Sequence, residues 1–170
     1  MMAAPQPLQA LLMLLSPRIA ALSFTLAASA LLAAAPAQAQ SPPAGADLLA
    51  KAAAARGAVL SESGLVYLSL KDGQGESPAA IDTVRVHYRG TLTDGKEFDS
   101  SYSRGQPASF ALNRVIKCWT EGVQKIKVGG KARLTCPTSI AYGERGTPGG
   151  PIPPNAVLQF EVELLGITKP

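Results

Sequence analysis

A single histidine and two cysteines leave this 170-residue chain too few soft ligands for a zinc site built from three or four His or Cys side chains. Nucleophilic catalysis is short of partners for the same reason, because a nucleophile needs a base within reach. The one imidazole, His87, falls on the polar side of an alternating segment, opposite Val86 and Tyr88, and reads as a solvated strand histidine. No G-x-S-x-G elbow, phosphate-cradling loop or dinucleotide fingerprint occurs. Charge is sparse as well: 16% of residues are charged, the formal net charge is +4, and no run of five like charges exists. The clustered Lys/Arg footprint of a nucleic-acid binder is therefore missing. With 46% hydrophobic residues the chain is too apolar for disorder, and its 16 Gly and 14 Pro follow no G-X-Y period.

What is present begins with an N-terminus unlike the rest. No acidic residue precedes Asp47, and Arg18 is the one basic side chain in the first forty. Ile19 to Ala35 is apolar apart from Ser23, Thr25 and Ser29, and Ala37-Gln38-Ala39 follows as an A-x-A pattern. Residues 1–39 read as a secretory signal peptide cleaved after Ala39. The alternative is a retained membrane anchor, for which the run sits at the short edge of what spans a bilayer. No cysteine stands directly after the run, which excludes a lipid-modified N-terminal Cys there. Export implies an oxidising compartment, most simply a bacterial periplasm, where two cysteines can pair.

Gln40 to Ala46 reads as a Pro/Ser/Gly-rich linker, and Asp47 to Ala58 as a short helix with Asp47 at its N-cap and Gly57 as a stop. Such a helix is marginal unless it docks, so a docked helix and a frayed arm both stand. From Gly64 to the C-terminus at Pro170 one domain is expected. Leu65–Leu70, Thr83–Gly90, Lys131–Cys136 and Leu158–Leu164 alternate with period two, and Asp94-Gly95 marks a hairpin. Val115, Trp119 and Val123 recur at helical spacing. Antiparallel strands with one amphipathic helix predict an α+β fold, a sheet wrapped over a single short α-helix.

The aromatics Tyr88, Phe98, Trp119, Tyr142 and Phe160 fall in different predicted elements, each beside turn-forming residues. Taken one at a time, each is explained by core packing. Their context changes that reading. Val86-His87-Tyr88-Arg89-Gly90, Asp94-Gly95-Lys96-Glu97-Phe98-Asp99-Ser100-Ser101, Phe110-Ala111-Leu112 and Val115 to Val123 occur in order. Lys127-Val128-Gly129-Gly130, Ala141-Tyr142-Gly143, Ile152-Pro153-Pro154-Asn155 and Leu158 to Leu165 complete the series. This colinear set resembles the FKBP-type peptidyl-prolyl cis-trans isomerase family, in its exported bacterial form, over nearly everything after Leu65.

The resemblance implies a bent antiparallel sheet of about five strands around one short helix. It implies an enzyme that speeds Xaa-Pro isomerisation in exported proteins without covalent chemistry, metal or cofactor. Trp119 would form the pocket floor, with Val115 and Ile116 at the start of its helix. Tyr88, Phe98 and Phe160 would form walls, with Phe110 beside them. Tyr142 would stand at the rim as a donor, Asp99 near Tyr88 as a polar partner, and Ile152 in an overhanging loop. Proline-containing exported polypeptides would be the partners and macrolides the inhibitors. One pocket-edge aromatic is replaced, since Ala108-Ser109-Phe110 stands where better-known members carry Phe-x-Phe. With only Gln40 to Ser63 ahead of the match, a monomer is expected. A holdase using the same pocket without turnover is the alternative class. Cys118, on the predicted helix, and Cys136, inward from a strand, either pair as a disulfide or remain two buried thiols.

Overall fold

The computed structural model describes residues 44–170, so the apolar run and the expected cleavage point lie outside the described residues. Among the described residues no helix is long and apolar enough to cross a membrane. Chain order is α1 (Ala44–Ala53), β1 (Ala58–Leu60), β2 (Val66–Lys71), β3 (Thr83–Thr91), β4 (Glu97–Ser100), β5 (Ala108–Ala111), α2 (Lys117–Val123), β6 (Lys131–Cys136) and β7 (Leu158–Thr168), with short 3-10 turns between. The strands form one antiparallel sheet ordered β1-β2-β6-β7-β3-β4, and β5 also pairs with β3. The count is seven rather than about five. The additional strands, β1 and β5, are three and four residues long, too short for alternation to declare them.

β3 organises the sheet. One edge pairs with β7 along its whole length; the other is shared, with β5 taking Thr83–Val86 and β4 taking Arg89–Thr91. Register shifts at Arg85/Val86 and Gly90/Thr91 bend it, as bulges do. The β3–β4 hairpin closes through Leu92 N–H to Lys96 O at 2.9 Å, with Gly95 at φ 82°, a backbone state glycine enters without steric penalty.

Period-two alternation decides the core. Val84, Val86 and Tyr88 face inward with Ala132, Leu134 and Cys136, and with Leu158, Phe160, Val162 and Leu164. Arg85, His87, Arg89 and Glu161 occupy the other face, where His87 stacks on Tyr102 at 4.7 Å and Glu161 meets Arg133 at 2.6 Å. Helix α2 covers the inner face through Cys118, Trp119 and Val123. It is shorter than the spacing predicts. Val115 is extended (φ −109°, ψ 177°) and Ile116 is the N-cap, so neither belongs to the helix. Two consecutive β-branched residues suit extended backbone better than a first helical turn. Thr120 Oγ1 donates to Leu112 O at 2.6 Å and ties the helix to the turn before it.

The N-terminal helix is docked. It starts at Ala44, so Asp47 sits in the first turn, where its charge suits the helix dipole, rather than at the N-cap. Leu48, Ala52 and Ala55 lie over Val66 and Leu68 of β2 and over Arg133, Thr135 and Gln159. Val66 pairs opposite Thr135 and therefore faces outward, yet it is buried because α1 covers it. Tertiary packing of this kind is what holds so short a helix. α1 and β1 thus belong to the same compact unit as the sheet, which extends upstream of Gly64.

Candidate active site

Between α2 and the inner face of the sheet lies a cleft of about 450 Å³, lined by Tyr88, Phe98, Asp99, Phe110, Arg114, Val115, Ile116, Trp119, Tyr142 and Phe160. Five elements supply it: β3, β4, β5, α2 and β7, with the loops at residues 112–116 and 137–157. The structure brings nine expected site residues to one wall-to-wall cleft and leaves Ile152 out. Ile152 is instead buried in the core, and it closes its loop by accepting from Thr147 N–H at 2.9 Å and donating to Thr147 Oγ1 at 3.0 Å. An apolar side chain beside Pro151 and Pro153 gains more from burial than from overhanging a cleft.

The aromatic lining is a lattice of edges and faces. Trp119, 4% exposed, meets Tyr88 at 5.2 Å, Phe110 at 5.4 Å and Phe160 at 5.5 Å, each ring nearly perpendicular to it. Phe98 stands edge-on to Phe160 at 5.5 Å, and Tyr88 to Phe110 at 5.7 Å. Each such pair contributes ~0.5–1.5 kcal/mol beyond area burial, and together they hold the rings at fixed angles. The indole N–H of Trp119 finds no acceptor among the described residues, so packing alone positions it. Phe98 and Phe160 approach across Gly90, where a Cβ would come within 2.6 Å of Phe98 and 3.0 Å of Phe160. Any larger residue at position 90 would force both rings from these positions.

Polar groups gather on one side. The Tyr88 hydroxyl and the Arg104 guanidinium both donate to the Asp99 carboxylate, and Arg104 Nη2 also donates to the Tyr88 hydroxyl at 2.8 Å. Arg104 lies 5.5 Å from the Tyr88 ring centroid, in cation–π range. Partial burial works against ionised Asp99, but the hydrogen bonds from Tyr88 and Arg104 outweigh it and hold the carboxyl below its usual range. Burial, reinforced by the adjacent carboxylate, raises the Tyr88 phenol. Burial and the Asp99 charge raise Tyr142 as well, so this rim side chain, 39% exposed, keeps its proton and can donate. Across the cleft, the Ile116 N–H has no backbone acceptor among the described residues.

Arg104 and Arg114 were not legible as site residues. Arg104 lies in the irregular segment after β4, where no period assigns a face; its only signal is that a half-buried Asp99 needs a counter-charge. Because the Arg104–Asp99 pair is more than a third exposed, it orients the Tyr88 ring more than it stabilises the fold. Asp99→Ala and Arg104→Ala should each leave the melting temperature within about 3 °C of the parent, as surface changes near ±0.5 kcal/mol do. Near-ultraviolet circular dichroism should report the freed tyrosine. A large melting shift for Arg104→Ala would show the pair to be structural.

The family model for the FKBP-type peptidyl-prolyl cis-trans isomerase matches residues 74–165. FkpA, an FKBP-type peptidyl-prolyl cis-trans isomerase of Aeromonas hydrophila, is 55% identical over 126 residues, 74% of this chain and 46% of that relative. FkpA of Escherichia coli K12 is 54% identical over 117 residues, 69% of this chain and 43% of its own length. The chain thus spans less than half the length of these curated relatives. The crystal structure of Escherichia coli FkpA superposes with a TM-score of 0.70 at 52% identity, covering 73% of this chain and 57% of that one. A peptidyl-prolyl cis-trans isomerase structure from Pseudomonas syringae gives 0.69 at 37% identity, covering 74% of this chain and 92% of that one. In fold and in sequence, the chain belongs to the FKBP-type peptidyl-prolyl cis-trans isomerase family.

Proposed function

We propose that this domain accelerates cis–trans isomerisation of Xaa-Pro bonds in exported polypeptides by seating the prolyl ring on Trp119 within the aromatic cleft. The single observation that carries the reading is a floor of one indole fenced by three perpendicular rings, with protonated donors at its rim. The barrier to amide rotation, ~18–20 kcal/mol, comes from C–N resonance, which places charge on O and N. Water stabilises that charge in the planar amide more than in the twisted one. An apolar cage removes the water, and a donor aimed at the twisted geometry adds binding that the ground state lacks. Tyr142 Oη and Ile116 N–H are the donors this reading assigns to substrate carbonyls. Tyr88, held by Asp99 and Arg104, is the wall they face. Phe98, Phe110, Val115 and Phe160 exclude solvent.

Export rests on the apolar segment Ile19–Ala35 followed by Ala37-Gln38-Ala39, which would deliver the domain to the periplasm. Uncatalysed X-Pro isomerisation takes tens to hundreds of seconds, slow enough to limit the folding of newly secreted chains.

Purified residues 40–170 should shorten the exchange time of a Leu-Pro peptide, measured by exchange NMR without a coupling protease. Asp99 is held below the ordinary carboxylate range and the two phenols above the ordinary tyrosine range, so kcat/KM should be flat across neutral pH. It should fall once acid protonates Asp99 and releases Tyr88 and Arg104. An uncatalysed rate at neutral pH would overturn the enzyme reading.

A further inference from the structure

One cleft residue stands outside both the aromatic lattice and the Tyr88–Asp99–Arg104 hydrogen bonds. Arg114 ends the 3-10 turn before the extended pair Val115 and Ile116, and its side chain lines the cleft while remaining exposed. It takes part in none of the ion pairs among the described residues. The undescribed segment holds no acid to supply a partner, since Asp47 is the first carboxylate in the chain. The one acid lining the cleft, Asp99, is already engaged by Arg104 and by the Tyr88 hydroxyl. Lys117, three residues on, does not line the cleft but is also exposed and gives this short segment a second charge of the same sign. An apolar floor thus carries an unneutralised guanidinium at its edge. A guanidinium offers a planar fork of donors that matches a carboxylate in two parallel hydrogen bonds.

We infer that Arg114 is a specificity-determining residue that selects proline segments carrying an Asp or Glu carboxylate within two positions of the proline. The inference rests on the cleft being the site of prolyl binding, as proposed above. The remaining chemistry is simple. A ligand carboxylate meets a cation whose hydration the cleft wall has already thinned on one side, whereas a ligand ammonium meets like charge with no neutralising acid in reach. Exposed ion pairs of this kind are individually weak, and attraction of one ligand combines with repulsion of the other. An overall discrimination of about fivefold between Glu and Lys peptides is the expected scale, shrinking as salt screens both.

The test separates binding from turnover. Trp119 is the only tryptophan and sits at the cleft floor, so its fluorescence reports occupancy directly. Three otherwise identical Xaa-Pro peptides, with Glu, Gln or Lys before the proline, are titrated in low salt, and exchange NMR measures turnover of the same set. A second series places the charge one residue further away. The parent should bind in the order Glu, Gln, Lys, with the spread collapsing at high salt. Arg114→Glu should reverse the order, improving the Lys peptide, and Arg114→Gln should level it. A gain for Lys cannot come from misfolding. Turnover of all peptides with no charge order in either series would overturn the inference and leave the isomerase reading intact. Charge-ordered binding without turnover would overturn the isomerase reading and leave the inference standing. A parent order of Glu, Gln, Lys that survives unchanged in Arg114→Glu would place the discrimination on another residue and defeat the inference.

Discussion

Trp119→Ala is expected to reduce kcat/KM on a Leu-Pro peptide by about two orders of magnitude, ~3 kcal/mol of transition-state binding, and to destabilise the domain at the same time. Both losses have one origin. Trp119 is 4% exposed and touches three rings edge-on, so truncation removes the floor of the cleft and leaves a cavity between α2 and the sheet. Removal of a buried Trp or Phe side chain costs ~3–5 kcal/mol, a large share of the ~5–15 kcal/mol that domains possess. Tyr88, Phe110 and Phe160 would then lean inward, and water would enter where the amide needs to be dry. Trp119→Leu separates the two effects: it refills much of the volume but offers no flat surface. Its melting temperature should lie between parent and Trp119→Ala, while its turnover should stay near that of Trp119→Ala. Denaturant unfolding at low temperature with exchange NMR on the folded fraction checks both. Parent-like turnover in a stably folded Trp119→Leu would show that the prolyl ring does not sit on the indole.

How much of this was legible in the sequence follows from the range over which each signal acts. β3, β6 and β7 alternate because one face meets the core and the other meets water, and that contrast is written at every second residue. The core positions Val84, Val86, Tyr88, Leu134, Phe160 and Val162 could be read directly from it. β5 could not, because Ala108-Ser109-Phe110-Ala111 owes its pairing to β3 rather than to its own pattern. Val66 misleads in the opposite sense: it is buried on the outer face under α1, which no local period foretells. Helical spacing also places the start of α2 too early, because Val115 shares it with Trp119 while its backbone is extended. In the cleft, colinear resemblance identified the aromatic residues, whereas Arg104 and Arg114 sit in irregular segments where charge, not period, carries the information. The cleft is therefore legible in its apolar half and largely hidden in its polar half. Ile152 shows the limit of carrying a role across by position, since this loop turns it into the core.

The second large effect is expected from the crosslink behind the floor. Cys118, the residue before Trp119, and Cys136, at the end of β6, are joined as a disulfide with Cα atoms 5.8 Å apart, within the span such a bond requires. Both residues are fully buried, and no free cysteine remains among the described residues. The bond ties the helix that carries the indole to the sheet that faces it, across a sequence separation of 18. Constraining an unfolded loop of that length stabilises the folded state by about 3 kcal/mol on the chain-entropy view. Cys118→Ala combined with Cys136→Ala should lose that amount, and at roughly 3–6 °C per kcal/mol for a domain between the small and large size classes the melting temperature should fall by about 10 °C or more. Reductant provides the internal control. It should lower the melting temperature of the parent nearly to that of the double variant and leave the double variant unmoved, because only the parent has a bond to lose. Turnover should fall less than stability, since the aromatic lattice around Trp119 survives in the folded fraction. Alkylation of two thiols in unreduced, denatured protein purified from an oxidising compartment, with a melting temperature indifferent to reductant, would show that the pair exists in the cell as buried thiols.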